Sequence, residues 1–447
     1  MKLLKNALVW DKKTKKEKIV NVIYDNKIRN ISSRTITDNF AETVDLKGKI
    51  LLPGCIDAHV HFNDPGFTNR ENFASGTLAA AFGGITTIID MPCTSIPPVT
   101  NKKNLYKKLS KIKAKAYIDY ALWGGIRSED FPLNKAMIQE LWKAGVVGFK
   151  IYVISGMDDF SDLSYQQIKE VFEKFPHILF AFHAEDKEII QTAEKSFTNE
   201  QKRKAETYVK IRSTKAEYQA VKNIIPLATN NHIHFVHISS KKASELILKN
   251  KESCDITFET CPHFLQFTAA DYDNLPGRLK TAPPVKTEND RDFLRMLVKD
   301  GKIDFIATDH AGCDFKTEKK KEDFSKIYSG IPGTELMIPY LFSEFYHKEK
   351  VSLGKLIKLT SENPAKRYGL YPMKGSLKIG TDADFTILQK DDYFVDEQKL
   401  HSLGKYSPFH NRKFNYRIDS TIIRGNRVIS DGEIQVKPGF GNWLKRK

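Results

Sequence analysis

The chain has 447 residues, of which 40% are hydrophobic and 28% charged, a balance typical of a globular protein and not of a disordered or coiled-coil chain. Its net charge of +16 admits an anionic partner, but the lysines are scattered and no nucleic-acid recognition motif accompanies them. The five cysteines are widely spaced, which argues against a disulfide framework or zinc finger. Because no secretory signal or membrane span is visible, we expect a cytoplasmic protein without nucleic-acid or membrane partners.

Both ends of the chain have the pattern of β-structure. Short apolar runs separated by turns predict strands in the first fifty or so residues and again in the last seventy or so. We expect the two ends to pair in one small β-sandwich domain, built from residues 1–52 and 375–447. Residues 53–374 then form the central domain.

The central domain alternates apolar strands with amphipathic helices. A helix is predicted to end at Gly145, and another to begin with a capping pattern at Ser164. Eight segments have the pattern of buried strands, at 59–62, 85–90, 117–123, 149–153, 178–184, 233–238, 256–260 and 304–309. Eight such units predict an α/β fold with a TIM-like (β/α)8 barrel. A doubly wound sheet fits the spacing equally well, but only a barrel brings the residues described next to one axis.

His59 and His61 lie two positions apart on a predicted strand, so their imidazoles point to the same face. This geometry suits a metal ion. Taken alone, the pair could also be two unrelated surface histidines. Other metal-ligating residue types at the ends of neighbouring strands favour the metal site.

Lys150 lies inside an apolar strand, where an ammonium group would lose its hydration. Burial favours the neutral amine, which can take up carbon dioxide to form a carbamate able to bridge two metal ions. A lysine whose stem is buried while its ammonium group reaches solvent fits the same pattern. The sequence alone leaves both interpretations open.

Three further residues lie at the carboxyl ends of predicted strands, namely His183, His237 and Asp309. Active sites of barrels are built at this end. His234 lies three positions before His237 and faces the other side of its strand, which favours a structural role. His263 is a candidate for a second layer of the site or for substrate binding.

The motifs that carry these residues are PGCIDAHVHFNDPG, GTLAAAFGGITTIIDMP, GVVGFKIYV, FHAED, RSTKAEYQAV, HFVHISS, ETCPHF, ATDHAGC, ENPAKRYGL and GTDADFTIL. Together they resemble the cyclic amidohydrolases of the amidohydrolase superfamily, which include dihydroorotases, allantoinases and hydantoinases or dihydropyrimidinases. The resemblance extends from about Leu51 to Leu388. It implies two divalent metal ions, typically zinc. It assigns His59, His61 and Asp309 to the first ion, His183 and His237 to the second, and N6-carboxylated Lys150 as the bridge between them.

The resemblance also implies the reaction. Asp309 would be the catalytic residue, taking a proton from the attacking water and passing it to the leaving ring nitrogen. The enzyme would hydrolyse a carbon–nitrogen bond of a small cyclic ureide and release a ureido acid. Relatives of this kind commonly form homodimers or homotetramers.

Four positions depart from the dihydroorotase pattern on the substrate side. Asn63 stands where an arginine would bind the substrate carboxylate, Cys93 and Ala282 replace asparagines, and Cys313 replaces a histidine. Together with His263, these residues are the predicted substrate contacts. The departures favour a neutral ring, and Cys313 resembles the allantoinase pattern.

The leading hypothesis is therefore an allantoinase-like enzyme acting on allantoin or a related hydantoin. Phe67, Arg70 and Gly312 depart from the allantoinase pattern, so dihydroorotase stays as the alternative, followed by hydantoinase or dihydropyrimidinase. A non-catalytic relative that has lost its metal ligands is the remaining possibility, and the complete ligand set argues against it.

Overall fold

A computed structural model describes residues 1–34, 36, 39–228 and 230–447. The strands are β1 (Lys2–Asp11), β2 (Lys16–Tyr24), β3 (Ile28–Ser32), β4 (Glu42–Asp45), β5 (Ile50–Pro53), β6 (Cys55–Val60), β7 (Ile85–Asp90), β8 (Asp119–Leu122), β9 (Gly124–Gly125), β10 (Phe149–Tyr152), β11 (Leu179–His183), β12 (His232–Phe235), β13 (Ile256–Thr260), β14 (Phe305–Ile306), β15 (Phe385–Phe394), β16 (Lys413–Ile423), β17 (Asn426–Ser430) and β18 (Glu433–Ile434).

The α-helices are α1 (Phe73–Phe82), α2 (Lys102–Ile112), α3 (Lys135–Ala144), α4 (Tyr165–Lys174), α5 (Lys187–Lys195), α6 (Asn199–Lys202), α7 (Ala205–Ile211), α8 (Thr214–Ile224), α9 (Lys241–Asn250), α10 (Pro262–Gln266), α11 (Pro276–Leu279), α12 (Glu288–Asp300), α13 (Met337–Leu341), α14 (Leu353–Ile357) and α15 (Asn363–Arg367). Short 3₁₀ or π segments lie at Ser128–Asp130, Ile225–Leu227, Ala269–Asp273, Phe315–Lys319, Phe324–Lys326, Phe342–Lys348, Lys358–Glu362 and Glu397–Lys399.

The parallel strands of the central domain close into a barrel. One sheet runs β6-β7-β8, and another runs from β9, which directly follows β8 in the chain, through β10, β11, β12 and β13 to β14. A parallel bridge between Val60 and His310 joins the first barrel strand to the segment after the last. The predicted TIM-like barrel is confirmed.

The barrel strands are buried at nearly every position, because helices cover their outer face and side chains fill the interior. The first strand differs from its predicted position at 59–62, since it begins at Cys55 and ends at Val60. The apolar run before His59 is buried throughout and forms the strand, so His61 lies just beyond its carboxyl end.

The two ends of the chain form a separate sheet, as predicted. Its strand order is β18-β17-β16-β15-β5-β1-β2-β3, with β4 pairing β1. The pairing of β15 with β5 joins the two ends of the chain, and β5 leads directly into β6 of the barrel. The predicted domain limits, at residues 53 and 374, stay a prediction.

Local sequence signals explain the helix ends. The side chain of Asn134 accepts from the amide of Met137 at the start of α3, and Gly145 ends the helix with φ of +111°. Ser164 and Gln167 form the predicted capping box at the start of α4. Within the described part of the chain, no helix combines the length and apolarity needed to cross a membrane.

A buried ion cluster ties the end sheet to the barrel. Lys374 lies 2.6 Å from the carboxylates of both Asp119, on β8, and Asp384, just before β15. Arg424, between β16 and β17, also contacts Asp119. The Lys374 side chain is only 4% exposed, so its charge depends on these carboxylates for compensation.

Candidate active site

All six predicted metal ligands lie at the carboxyl end of the barrel. They are His59 near the end of β6, His61 just after it, Lys150 in β10, His183 at the end of β11, His237 shortly after β12, and Asp309 shortly after β14. All except the partly exposed Asp309 are buried. The barrel therefore brings together residues that are up to 250 positions apart in the chain.

The first group of donors consists of His59, His61 and Asp309. The Oδ1 atom of Asp309 lies 3.1 Å from Nε2 of His59 and 3.2 Å from Nε2 of His61, and the two Nε2 atoms are 3.3 Å apart. Their ligand atoms all lie within 4.8 Å of one another, close enough to bind one metal ion. Two imidazoles and a carboxylate are a common donor set for zinc and similar divalent ions.

The second group consists of His183 and His237. Nδ1 of His183 lies 3.0 Å from Nε2 of His237. The imidazole centroids of His59 and His237 are 5.5 Å apart, so the two donor groups adjoin. Burial lowers the pKa of His183 and His237, which favours the neutral imidazole that metal ions require.

Lys150 lies beside both donor groups. Its Nζ atom is buried and has no hydrogen-bond partner within the described part of the chain, and burial lowers its pKa to about 8. Burial lowers the pKa of His59 and of His237, and the positive charge of Lys150 lowers both pKa values further. A buried amine without a hydrogen-bond partner is costly. This environment fits a lysine that binds another group or is itself chemically modified.

Buried carboxylates hold the outer nitrogen atoms of two of the histidines. Nδ1 of His59 donates to Glu259 across 2.5 Å, and Nε2 of His183 donates to Glu185 across 2.9 Å. Each contact leaves the other ring nitrogen, Nε2 of His59 or Nδ1 of His183, facing its donor group. The other oxygen of Glu259 lies 3.2 Å from Nε2 of His234, the histidine predicted to be structural.

These two glutamates were missed by the sequence analysis, although both lie in the motifs FHAED and ETCPHF. The available signal was a carboxylate in or beside an apolar strand, where an acidic residue is rarely buried without a partner.

The backbone at the site is strained and held by its neighbours. His237 and Asp309 have φ of +41° and +51°, a left-handed conformation that non-glycine residues rarely adopt and that occurs preferentially at functional sites. On one side of Asp309, Thr308 donates its amide and hydroxyl to Asp57. On the other side, His310 contacts Glu71 at 3.2 Å. These contacts fix the direction of the Asp309 carboxylate.

A cavity of about 400 Å³ opens above the donor groups, and His61, His183, His237 and Asp309 form part of its wall. Of the predicted substrate contacts, Ala282 lines this cavity. The other four, Asn63, Cys93, His263 and Cys313, are not among the described residues that line it.

Each of these four side chains is buried. Cys93 lies 3.6 Å from Nδ1 of His61 and 3.2 Å from the hydroxyl of Tyr152, while Cys313 contacts the hydroxyl of Tyr406 at 3.3 Å. The side-chain amide of Asn63 and Nε2 of His263 have no hydrogen-bond partner in the described chain. Their roles as substrate contacts stay predictions.

Comparison with known proteins agrees with this arrangement. The sequence pattern described as the Amidohydrolase family matches residues 50–428. The chain belongs to the amidohydrolase family. The membership predicted from the motifs is confirmed, and enzymes of this family are generally metal-dependent.

The individual relatives are enzymes that act on cyclic amides. This amidohydrolase is 35% identical to the allantoinase of Rubrobacter xylanophilus over 406 residues, 89% of this chain and 88% of the relative. It is 34% identical to the dihydroorotase of Methanosphaera stadtmanae, with 96% and 98% covered. The solved structure of the L-hydantoinase from Arthrobacter aurescens superposes with a TM-score of 0.93 at 30% identity, covering 100% of this chain and 99% of that one.

Proposed function

We propose that this amidohydrolase opens the ring of a cyclic ureide by hydrolysing its amide carbon–nitrogen bond, with allantoin or a related hydantoin as substrate. The observation that carries the proposal is a cavity whose wall includes His61, His183, His237 and Asp309, with His59 directly beside His61 and Asp309. The similarity to allantoinases over most of the chain supports the choice of ring.

The residues fit two divalent cations, which we propose to be zinc. His59, His61 and Asp309 would hold one ion, and His183 and His237 the other, since their donor atoms already face one another. The buried Lys150 amine fits the remaining role. Its ammonium form would first lose one proton, and the neutral nitrogen would then form a bond to the carbon of CO2 and release a second proton to solvent, which yields an anionic N6-carboxylated lysine. This change replaces an uncompensated cation with an anionic ligand.

When bound, the two ions would supply Lewis acidity that polarises the ring carbonyl and acidifies a water molecule. Asp309 is placed to act as the proton carrier, because its carboxylate lies at the cavity surface while its neighbours fix its direction. It would take a proton from the attacking water and deliver it to the ring nitrogen as the carbon–nitrogen bond breaks. The products would be a carboxylate and a protonated nitrogen on one open chain.

Dihydroorotase is the second candidate. The relative from Methanosphaera stadtmanae matches over nearly the whole length of both chains. Dihydroorotate carries a carboxylate on the ring, whereas allantoin carries a neutral ureido group. The two functions therefore differ in the charge that the cavity must accept.

Turnover of allantoin, hydantoin, dihydrouracil and dihydroorotate by the zinc-loaded protein tests the proposal. We expect allantoin or hydantoin to have the highest kcat/KM, by about a hundredfold over dihydroorotate, since the Arg212 guanidinium in the cavity wall is already paired with Glu185 and would bind a ring carboxylate less strongly than a free one. The Asp309→Asn variant, purified in parallel, controls for contaminating enzymes. Efficient hydrolysis of dihydroorotate alone would establish the second candidate, and no hydrolysis of any ring would refute the proposed reaction.

A further inference from the structure

Arg212 directly follows α7. It contacts the predicted metal ligand His183 and also lines the cavity. Its Nε atom lies 3.1 and 3.2 Å from the two oxygens of Glu185, and its Nη2 atom also contacts Glu185. Nη2 is in addition 3.3 Å from Nε2 of His183. The guanidinium therefore fixes the carboxylate that orients the His183 ring.

The other edge of this guanidinium is still available. Arg212 lines the cavity, and its side chain is 18% exposed. Within the described part of the chain, Nη1 makes no hydrogen bond. It is also not a buried atom, so a ligand in the cavity can reach it. Because the guanidinium is planar and rigid, the contacts with Glu185 also fix the direction of the Nη1 donors. The carbonyl of Arg212 accepts from Lys286, which holds the backbone as well.

The position of Arg212 selects which part of a substrate it could reach. Nδ1 of His183 faces His237 and the donor groups, whereas Nε2 points the opposite way, toward Glu185 and Arg212. The guanidinium is therefore separated from the reacting centre by the His183 ring. A hydrogen bond from Nη1 would reach a substituent of the ring rather than the carbonyl under attack.

The charges around Arg212 indicate whether that substituent is charged or neutral. Glu185 is fully buried and already compensates the guanidinium, and Asp309 lines the same cavity. A carboxylate substituent would gain little from a guanidinium whose charge Glu185 already neutralises, whereas a neutral carbonyl oxygen needs only the Nη1 donor. The site thus favours an uncharged acceptor.

We propose that Arg212 forms a second subsite of the cavity, which binds a neutral carbonyl oxygen on the substituent of the substrate ring, as in a ureido group. This inference rests on the proposed hydrolysis of a hydantoin-type ring. It adds that the enzyme selects rings that carry such a group over the same ring without it. Arg212 would then act in two ways, as a positioning residue through Glu185 and as a direct contact for the substituent.

Two rings that differ only in the substituent separate these roles. Allantoin carries a ureido group, whereas 5-methylhydantoin carries a methyl group that cannot accept a hydrogen bond. In Arg212→Lys, the ammonium can still face Glu185 but the second guanidinium edge is lost. We expect kcat/KM to fall for both rings, and to fall at least tenfold further for allantoin. The matched control is Lys210→Gln on α7, whose exposed side chain contacts only Glu206 at 4.0 Å, and it should leave the ratio between the two rings unchanged.

Equal losses for both rings in Arg212→Lys would overturn the subsite and leave Arg212 as a positioning residue only. The native enzyme provides a second measurement, since a kcat/KM for 5-methylhydantoin that equals or exceeds that for allantoin also overturns it. If the native protein hydrolyses neither ring, the proposed function fails. The subsite is then decided by calorimetric binding to the zinc-loaded protein: allantoin binding tenfold tighter than 5-methylhydantoin supports it, and equal binding refutes it.

Discussion

The carboxylate of Glu259 lies 2.5 Å from Nδ1 of His59, on the side of the ring that faces away from Asp309. Its other oxygen contacts Nε2 of His234, so one buried acid links two histidines from different strands. With its proton on Nδ1, His59 donates to this carboxyl group and keeps Nε2 for a metal ion. Such outer contacts typically control metal affinity.

We expect Glu259→Ala to weaken metal binding by about 10- to 100-fold, because His59 loses the group that fixes its tautomer and orientation. Glu259→Gln should retain more affinity, since its carbonyl can still accept from Nδ1. Competition with a chelator, read by metal analysis, measures both. Glu252→Gln, at an exposed position after α9, is the control. Native metal affinity in Glu259→Ala would show that Glu259 is only a packed residue.

Asp309→Asn should reduce kcat by about 10²- to 10⁴-fold while much of the metal stays bound. The amide can occupy the same space beside His59 and His61 but cannot take up a proton. Turnover together with metal content per chain measures the two effects separately. A variant that keeps full turnover would exclude Asp309 as the proton carrier, and one that loses all metal would show that its main role is ligation.

If Lys150 carries the proposed carbamate, Lys150→Ala should lower metal content and activity together, because the bridge between the two donor groups is removed. Short carboxylic acids, such as acetate or propionate, should restore part of both by occupying the space of the carbamate. Lys143→Ala, at an exposed position of α3, controls for loss of a lysine. Two metal ions and full activity in Lys150→Ala would contradict the carbamate.

The buried cluster around Lys374 gives a prediction about stability. Burial lowers the pKa of Lys374, but the charges of Asp384 and Asp119 outweigh burial and raise this pKa above its ordinary value. The stabilisation is therefore fully present below the unfolded lysine's pKa of about 10.4 and is lost only as pH rises through the higher folded value. Lys374→Ala should cost about 3–5 kcal/mol at pH 8, since it leaves the buried Asp384 without its cation and Asp119 with Arg424 alone.

This cost should shrink toward pH 5. Burial raises the pKa of Asp384, and without Lys374 this carboxyl group takes up a proton more readily as the pH falls, which removes its charge. Urea unfolding at pH 5 and pH 8 measures the difference between variant and native protein, with Lys437→Ala as an exposed control. A destabilisation that is equal at the two pH values would show that lost packing, and not charge, is its cause.

The sequence by itself predicted the barrel, which the structure confirms, and the candidate ligand residues. Alternation of buried strands with amphipathic helices is a local pattern, and the active end of a barrel follows from strand direction alone. Lys150 stood out because a lysine in an apolar strand is rare. Helix caps are also local patterns, so Ser164 and Gly145 could be predicted as helix ends before any tertiary contact was known.

Only the tertiary structure decided which side chains meet and which reach the cavity. Glu259 and His59 are 200 positions apart, and Arg212 begins the motif RSTKAEYQAV, but its contact with His183 is set only by the folded chain. Asn63, which the sequence predicts as a substrate contact, is buried and stays a prediction, whereas Arg212 lines the cavity. Periodicity tells which face of a strand is buried, but the distance between loops that follow different strands depends on how the whole barrel closes.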